Sequence, residues 1–347
     1  MGVFLQVGPP IVLVPAVDMS GSCCQDHGMT RQGNGRLVLL LLVACQAGCQ
    51  RAHTVDDTDC KPVFYRSNYI TMWDVPYGDH QRQVMDIHLR GSWATSDGGF
   101  NVRLEGPQPP TIVFAHGSAW YLSDKREWEH VITPFLQRGY NVVNLNYRLR
   151  EGIEPAVMDV RDALEYLAIN NNRFGLDLDN VVLSGVSAGG HMTMFIACAQ
   201  NSGEPSISIP PGMGISGVVS IVGGGAGCYE LYEMLRDHEE SFWRDVADTL
   251  VDDHERAEEL MERYCPIHQF DDGDPPMFIA YGRRDPFGSD SKYAEVVRGL
   301  EDAGISYQLI GYENSGHNLV QEDWEDAFMR IFRFVDLHAG RQSIIVD

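Results

Sequence analysis

Asn180-Val181-Val182-Leu183-Ser184-Gly185-Val186-Ser187-Ala188-Gly189-Gly190-His191 is the stretch on which the reading of this chain turns. The first five residues have the apolar, β-branched character of a strand, and the residues from Gly190 to Gln200 continue as an apolar helix. A sharp strand-to-helix turn pushes the residue at its apex into the open, and glycines flank it because a Cβ would clash there. Ser187 would then stand at a helix N-terminus, where the dipole favours developing negative charge. Gly-x-Ser-x-Gly alone is a weak signal, since glycine-rich turns are common. The strand before it and the helix after it turn it into a nucleophile elbow.

Outward from this point, β-rich runs at 83–89, 111–115, 141–146, 180–184, 216–222, 277–281 and 306–311 alternate with helical segments near 126–138, 155–170, 188–200, 289–303 and 321–338. This alternation predicts an α/β fold with a mostly parallel central sheet flanked by helices, and the continuous apolar strands predict burial on both faces. One stretch, about 228–265, breaks the rhythm. Phe242, Val246 and Leu250 repeat at four-residue spacing, which predicts amphipathic helices. Residues 229–263 hold thirteen acids against four arginines, the composition of a solvated outer face. The stretch reads as a small helical cap inserted after the sixth strand, with Gly223-Gly224-Gly225 as the hinge leading into it.

Acyl transfer from a serine needs a base, an acid to orient it and donors for the oxyanion. The order serine, acid, histidine along the chain is met by Ser187, Asp285 and His317, the last two lying just beyond the strands at 277–281 and 306–311. Glu313 and Asp290 remain open as substitutes for Asp285. Upstream, Thr111–Ala115 leads into His116-Gly117-Ser118-Ala119-Trp120, so the N–H groups of Gly117, Ser118 and Ala188 are the candidate oxyanion donors. Trp120, Phe242 and Trp243 could each line an acyl or aryl pocket, but aromatic residues are more often core, so Trp120 alone is the candidate pocket residue. Tyr147, Arg148 and Asp159 read as a structural group of ion pair and hydrogen bonds near the elbow.

The 347 residues carry a formal charge of −23, which argues against nucleic acid or other polyanions as partners. At the N-terminus, the apolar run 37–44 is too short to span a bilayer and follows Arg31 and Arg36, as in a secretory signal. Leu42-Val43-Ala44-Cys45 resembles the lipobox of bacterial lipoproteins. Cys45 would be lipidated, Met29 would be the true start, and residues to about 60 would form a presequence and tether. The mature chain, a hydrolase domain over 61–347, would be exported and bound to a membrane only through that lipid. Cys228 and Cys265 flank the cap and could bridge, although free thiols fit as well. No cysteine or histidine spacing suggests a metal, and no cofactor is implied.

His116-Gly117-Ser118-Ala119-Trp120, Asn146-Tyr147-Arg148-Leu149, Pro155 through Asp159, Gly185 to Gly190, Asp285 and His317 together resemble the carboxylesterases related to hormone-sensitive lipase. The closer likeness is to the branch holding bifunctional feruloyl and acetyl-xylan esterases and kynurenine formamidases, over about residues 64–338. The resemblance implies an α/β-hydrolase fold, Ser187 as nucleophile, His317 as general base, Asp285 as its orienter, and a small-molecule or carbohydrate ester as substrate. Two positions depart from the pattern. Ser118 stands where glycine is usual, and Asn146 where an acid is frequent. The competing functions are a formamidase and a non-catalytic binding module of the same fold. An exopeptidase would need a large partner domain for which this length leaves no room.

Overall fold

The computed structural model describes residues 69–96, 99–104, 107–199 and 206–340, all within the second of the two units into which the chain divides, Asn68–Asp347. The lipobox, Cys45, Met29 and the tether lie outside the described residues. Among the described residues, nine strands form the sheet: β1 (Tyr69–Pro76), β2 (Val84–Ser96), β3 (Gly99–Leu104), β4 (Pro110–Ala115), β5 (Asn141–Leu145), β6 (Asp177–Val186), β7 (Ile215–Ile221), β8 (Met277–Gly282) and β9 (Tyr307–Tyr312). The main path runs β1-β2-β5-β4-β6-β7-β8-β9, with β3 pairing β2 outside it. The pairings of β1 with β2, β2 with β3 and β2 with β5 are antiparallel; from β5 to β9 all are parallel. This is the mostly parallel sheet expected from the sequence. Strands β4, β5 and β8 are buried at every residue, because helices cover both faces.

The helices are α1 (Glu129–Arg138), α2 (Ile153–Phe174), α3 (Ala188–Cys198), α4 (Cys228–Arg236), α5 (Ser241–Leu250), α6 (Ala257–Arg263), α7 (Asp290–Asp302) and α8 (Gln321–His338). On one side, α1 and α8 meet through Phe135, Phe328 and Phe332. Elsewhere α2 packs on α3, and every residue of α3 is buried, as an apolar run without a polar face requires. Among the described residues, no helix is long and apolar enough to cross a membrane.

The cap comprises α4, α5 and α6, between β7 and β8. With β3 set aside, β7 is the sixth strand of the main path in chain order, where the insertion was expected. Leu235, Val246, Ala247, Leu250, Leu260 and Met261 supply its buried face. Cys228 and Cys265 form a disulfide with Cα atoms 5.7 Å apart, pinning the two ends of the insertion together.

What positions the site is the pairing of β4 with β6. The chain leaves β4 for β5 on one side, while β6 lies on the other, so a crevice opens beyond the carboxyl ends of these two strands. Ala115 and Gly185 are register partners, and the loops that follow them therefore start side by side. The approach is close enough to dictate residue type. A Cβ on Gly189 would lie 2.0 Å from Ala115 O, and one on Gly185 would lie 2.3 Å from the backbone carbon of Gly189.

Candidate active site

Three loops at the carboxyl edge of the sheet bring the expected residues together. Ser187 has φ 53° and ψ −122°, a region that L-residues rarely occupy, and its N–H donates to Ile221 O at 2.8 Å. Its Oγ lies 2.8 Å from His317 Nε2, and His317 Nδ1 lies 2.8 Å from Asp285 Oδ2. A carboxylate only accepts, so Nδ1 carries the proton and Nε2 is bare toward the serine hydroxyl. The Asp285 carboxylate is almost fully buried, and its other oxygen accepts the Phe287 N–H at 2.9 Å. The Phe287 ring meets the His317 ring edge-on, with centroids 5.0 Å apart. The arrangement can deprotonate a hydroxyl while holding the resulting imidazolium in place.

The acid and histidine loops are tied to each other. Arg284 N donates to Ser315 O and Arg283 N to Tyr312 O, both at 2.9 Å. Gly282 must lack a Cβ, which would sit 2.1 Å from Gly316 O. Ser315 Oγ donates to Asp323 on α8 at 2.6 Å and accepts Val320 N–H at 2.9 Å. The substitutes for Asp285 are engaged elsewhere. Asp290 accepts from Tyr281 Oη and pairs with Arg283, and Glu313 pairs with Arg283 at 3.3 Å.

The loop after β4 runs through three successive left-handed residues, Ser118 (φ 85°), Ala119 (φ 58°) and Trp120 (φ 55°), closed by Tyr121 N–H and Leu122 N–H donating to Ser118 O. Position 118 is thus one where glycine would be the unstrained choice, and a serine adopts it. Gly117, Ser118 and Ala188 N–H donate to nothing among the described residues, as donors reserved for a ligand would. Tyr147 differs from its expected place in the ion-pair group. Its ring stacks on His116 at 4.4 Å, and its Oη donates to His116 O and Gly117 O at 3.0 and 3.3 Å. Arg148 and Asp159 do form the expected pair, with Gln83 completing it.

Asn146 replaces the frequent acid without leaving a gap: Oδ1 accepts Lys125 N–H at 2.7 Å, and Nδ2 donates to Asp124 at 2.6 Å. Lys125 itself is buried, with Nζ 3.2 Å from Asp86 and bonded to Asp74. Burial pushes the Asp86 carboxyl up to about 6 in spite of that neighbour.

Trp120 lines a cavity of about 30 Å³ with His191, Gly223, Gly224, Gly225, Phe287 and Tyr293 among its walls. The triple glycine is therefore a pocket wall as well as the lead into the cap, and its Gly224 and Gly225 take positive φ. Phe242 and Trp243, expected in the core, are instead half-buried members of an aromatic arch. Tyr121 meets Phe242, Phe242 meets Trp243, and Trp243 meets Phe287, with centroids 5.5, 4.9 and 4.9 Å apart. The arch links the oxyanion-side loop, the cap and the acid loop. No local pattern in the sequence signals it, because its members come from three separate segments. Phe287 had the one available signal, an aromatic two residues after the acid. Among the described residues, no group of His, Cys, Asp or Glu is placed to hold a metal.

The profile of the family described as BD-FAE matches residues 103–292, which takes in the loop after β4, the elbow and Asp285. Esterase LipC of Mycobacterium tuberculosis is 23% identical over 260 residues, 73% of this chain and 61% of its own length. The kynurenine formamidase of Danio rerio is 23% identical over 155 residues, 44% of this chain and 43% of its own length. A solved truncated form of a carbohydrate esterase from gut microbiota superposes with a TM-score of 0.61 at 18% identity, covering 79% of this chain and 98% of the other. The chain thus spans about three-fifths of the length of LipC, and the solved structure shares its fold.

Burial holds His88, His116 and His191 neutral, pushing their pKa values down to about 3, 4 and 4. Each unfolds into a ring that takes up a proton below about 6.5, so its contribution is full above that pH and is lost as pH falls toward 4. Asp86 has the opposite sign: its raised pKa gives a contribution present below about 3.8 and lost as pH rises through 6. Near pH 5 these four groups leave a net uptake of about two protons on unfolding, a slope of roughly 2–3 kcal/mol per pH unit. Urea midpoints measured from pH 7 to pH 4 are expected to fall steadily below pH 6.5; a flat profile down to pH 4 would contradict the buried neutral histidines.

Proposed function

We propose, from the premise that this chain belongs to the BD-FAE family of α/β-hydrolases, that it is a serine esterase cleaving short-acyl carboxyl esters through an acyl-enzyme. The observation that carries the reading is the unbroken chain of hydrogen bonds from Ser187 Oγ through His317 to Asp285. Ser187 Oγ attacks the ester carbonyl carbon as His317 Nε2 takes its proton, and the oxyanion settles against the N–H groups of Gly117, Ser118 and Ala188. The C–O bond to the alcohol breaks as His317 returns the proton to the leaving oxygen. Water then repeats the sequence on the acyl-enzyme and frees the acid. Asp285 holds the imidazole in the tautomer these steps need.

The cavity beside Trp120 is small and shares Phe287 with the acid loop, which supports a short acyl group, so the acetyl ester is the substrate we favour among those suggested by the sequence. The half-buried Phe242 and Trp243 of the aromatic arch, which reaches Phe287 beside His317, are our candidates for contact with the alcohol moiety, since aromatic faces suit a sugar or aryl group. The likeness to LipC and to a carbohydrate esterase supports ester over formamide hydrolysis, and the formamidase match covers less than half of either chain. Hydrolysis of p-nitrophenyl acetate is expected to exceed that of octanoyl and feruloyl esters and of N-formylkynurenine. Ser187→Ala is expected to lower the acetate rate by at least about 10⁴-fold. Equal rates in wild type and variant, or cleavage of the formamide alone, would overturn the assignment.

We also propose that the chain is exported and held at a membrane by lipid on Cys45. The apolar run ending at Leu42-Val43-Ala44-Cys45 supports this, as does the Cys228–Cys265 disulfide, a bond suited to an oxidising compartment. Radiolabelled palmitate fed to a bacterium expressing the full chain is expected to label the wild type and not Cys45→Ser. Label retained in the variant, or absent from both, would defeat the tether.

A further inference from the structure

Arg82 lies in the turn between β1 and β2, 34 residues before His116, in a polar segment (Asp79-His80-Gln81-Arg82-Gln83) that no motif marks. Its guanidinium nevertheless joins three segments around the oxyanion-side loop. Nε donates to Tyr147 O at 2.8 Å, and Nη2 donates to Ser123 O at 2.9 Å. Nη2 also lies 3.3 Å from His116 Nε2, and Nη1 stands 3.8 Å from Asp124 Oδ2.

The contact with His116 has a chemical consequence. On its other side, His116 Nδ1 lies 2.8 Å from Gly117 O. A carbonyl oxygen only accepts and a guanidinium only donates, so one form of the ring satisfies both: neutral, with the proton on Nδ1 and a lone pair on Nε2 toward Arg82. A protonated ring would set an N–H against the guanidinium, and the other neutral tautomer would set a lone pair against the carbonyl. The full burial of the ring favours the uncharged form as well.

Gly117 O is then gripped by His116 Nδ1–H and by Tyr147 Oη. In a planar trans peptide the carbonyl and the following N–H point in opposite directions. Whatever holds Gly117 O in place therefore aims Ser118 N–H, a donor with no other partner among the described residues.

We propose that Arg82 is a positioning residue for the hydrolysis, fixing the tautomer of His116 so that His116 holds Gly117 O and thereby points Ser118 N–H at the oxyanion. The role rests on the serine-esterase reading above. Arg82 touches no reacting atom; its effect passes through His116 and one peptide plane. Ser118 occupies a left-handed conformation that a serine does not favour, so the peptide before it needs an external hold.

The test compares wild type with Arg82→Met and Arg82→Lys in the full chain. Arg82→Met is expected to lower kcat on p-nitrophenyl acetate roughly 30- to 300-fold with KM changed less than about twofold, since a misaimed oxyanion donor affects the transition state alone. Affinity for a trifluoromethyl ketone, whose adduct with the serine carries an oxyanion, is expected to fall by the same factor. Arg82→Lys, which keeps a donor for His116 Nε2, is expected to recover part of the loss and serves if the methionine variant does not fold. Nitrogen NMR of labelled histidine is expected to show the Nδ1–H tautomer of His116 in wild type and its loss in Arg82→Met. Full kcat in both variants, or a rise in KM that accounts for the whole loss, would overturn the proposal while leaving the esterase reading intact. A wild type that hydrolyses no ester would instead defeat the reading on which it rests.

Discussion

The parallel pairing of β4 with β6, with Ala115 opposite Gly185, is the constraint from which the site follows. Because the chain departs from these neighbouring strands in opposite directions, the loop at Gly117 and the elbow at Ser187 share one crevice. The closeness of that approach excludes a Cβ at Gly185 and Gly189. The glycines flanking Ser187 are thus a packing requirement between the helix start and its neighbouring strand, and the exposed hydroxyl is a result of it. Strands β8 and β9 repeat the logic at the other side of the site. Gly282 and Tyr312 are register partners, and Gly282 lets the loop holding His317 close on the one holding Asp285.

Backbone strain concentrates where chemistry is proposed. Ser187, Ser118, Ala119 and Trp120 all take positive φ, each at a cost of order 1–3 kcal/mol that the surroundings must offset. The offset is visible in the hydrogen bonds. Ile221 O holds Ser187 N–H, Ser118 O receives two donors, and Asn146, Lys125 and Arg82 anchor the segment that follows. The N–H groups of Gly117, Ser118 and Ala188, by contrast, have no acceptor among the described residues. Preorganised donors of this kind stabilise developing charge without rearranging during the reaction.

Much of this was legible in the sequence because it is written locally. The elbow combines a strand, a glycine-flanked serine and a helix within twenty residues, and the helices at 290–302 and 321–338 lie where periodicity predicted them. Strand β1 was not legible: only Ile70 of its eight residues is buried, as befits an edge, so no run of apolar residues announces it. The choice among Asp285, Asp290 and Glu313 depended on where Arg283 points, a matter of three-dimensional placement. Tyr147 adjoins Arg148 in the sequence, yet its side chain leaves the other way, toward His116, while Arg148 turns to Asp159. The aromatic arch and Arg82 were invisible for the same reason, since each exists only where distant segments meet.

Activation of Ser187 by His317 underlies every proposed step, and reaction with a fluorophosphonate probe measures that activation without any assumption about the natural ester. A single adduct on the peptide containing Ser187 is expected, formed at least about a thousandfold more slowly when His317 is replaced by glutamine. An adduct on another residue, or an equal rate in the His317→Gln variant, would contradict it.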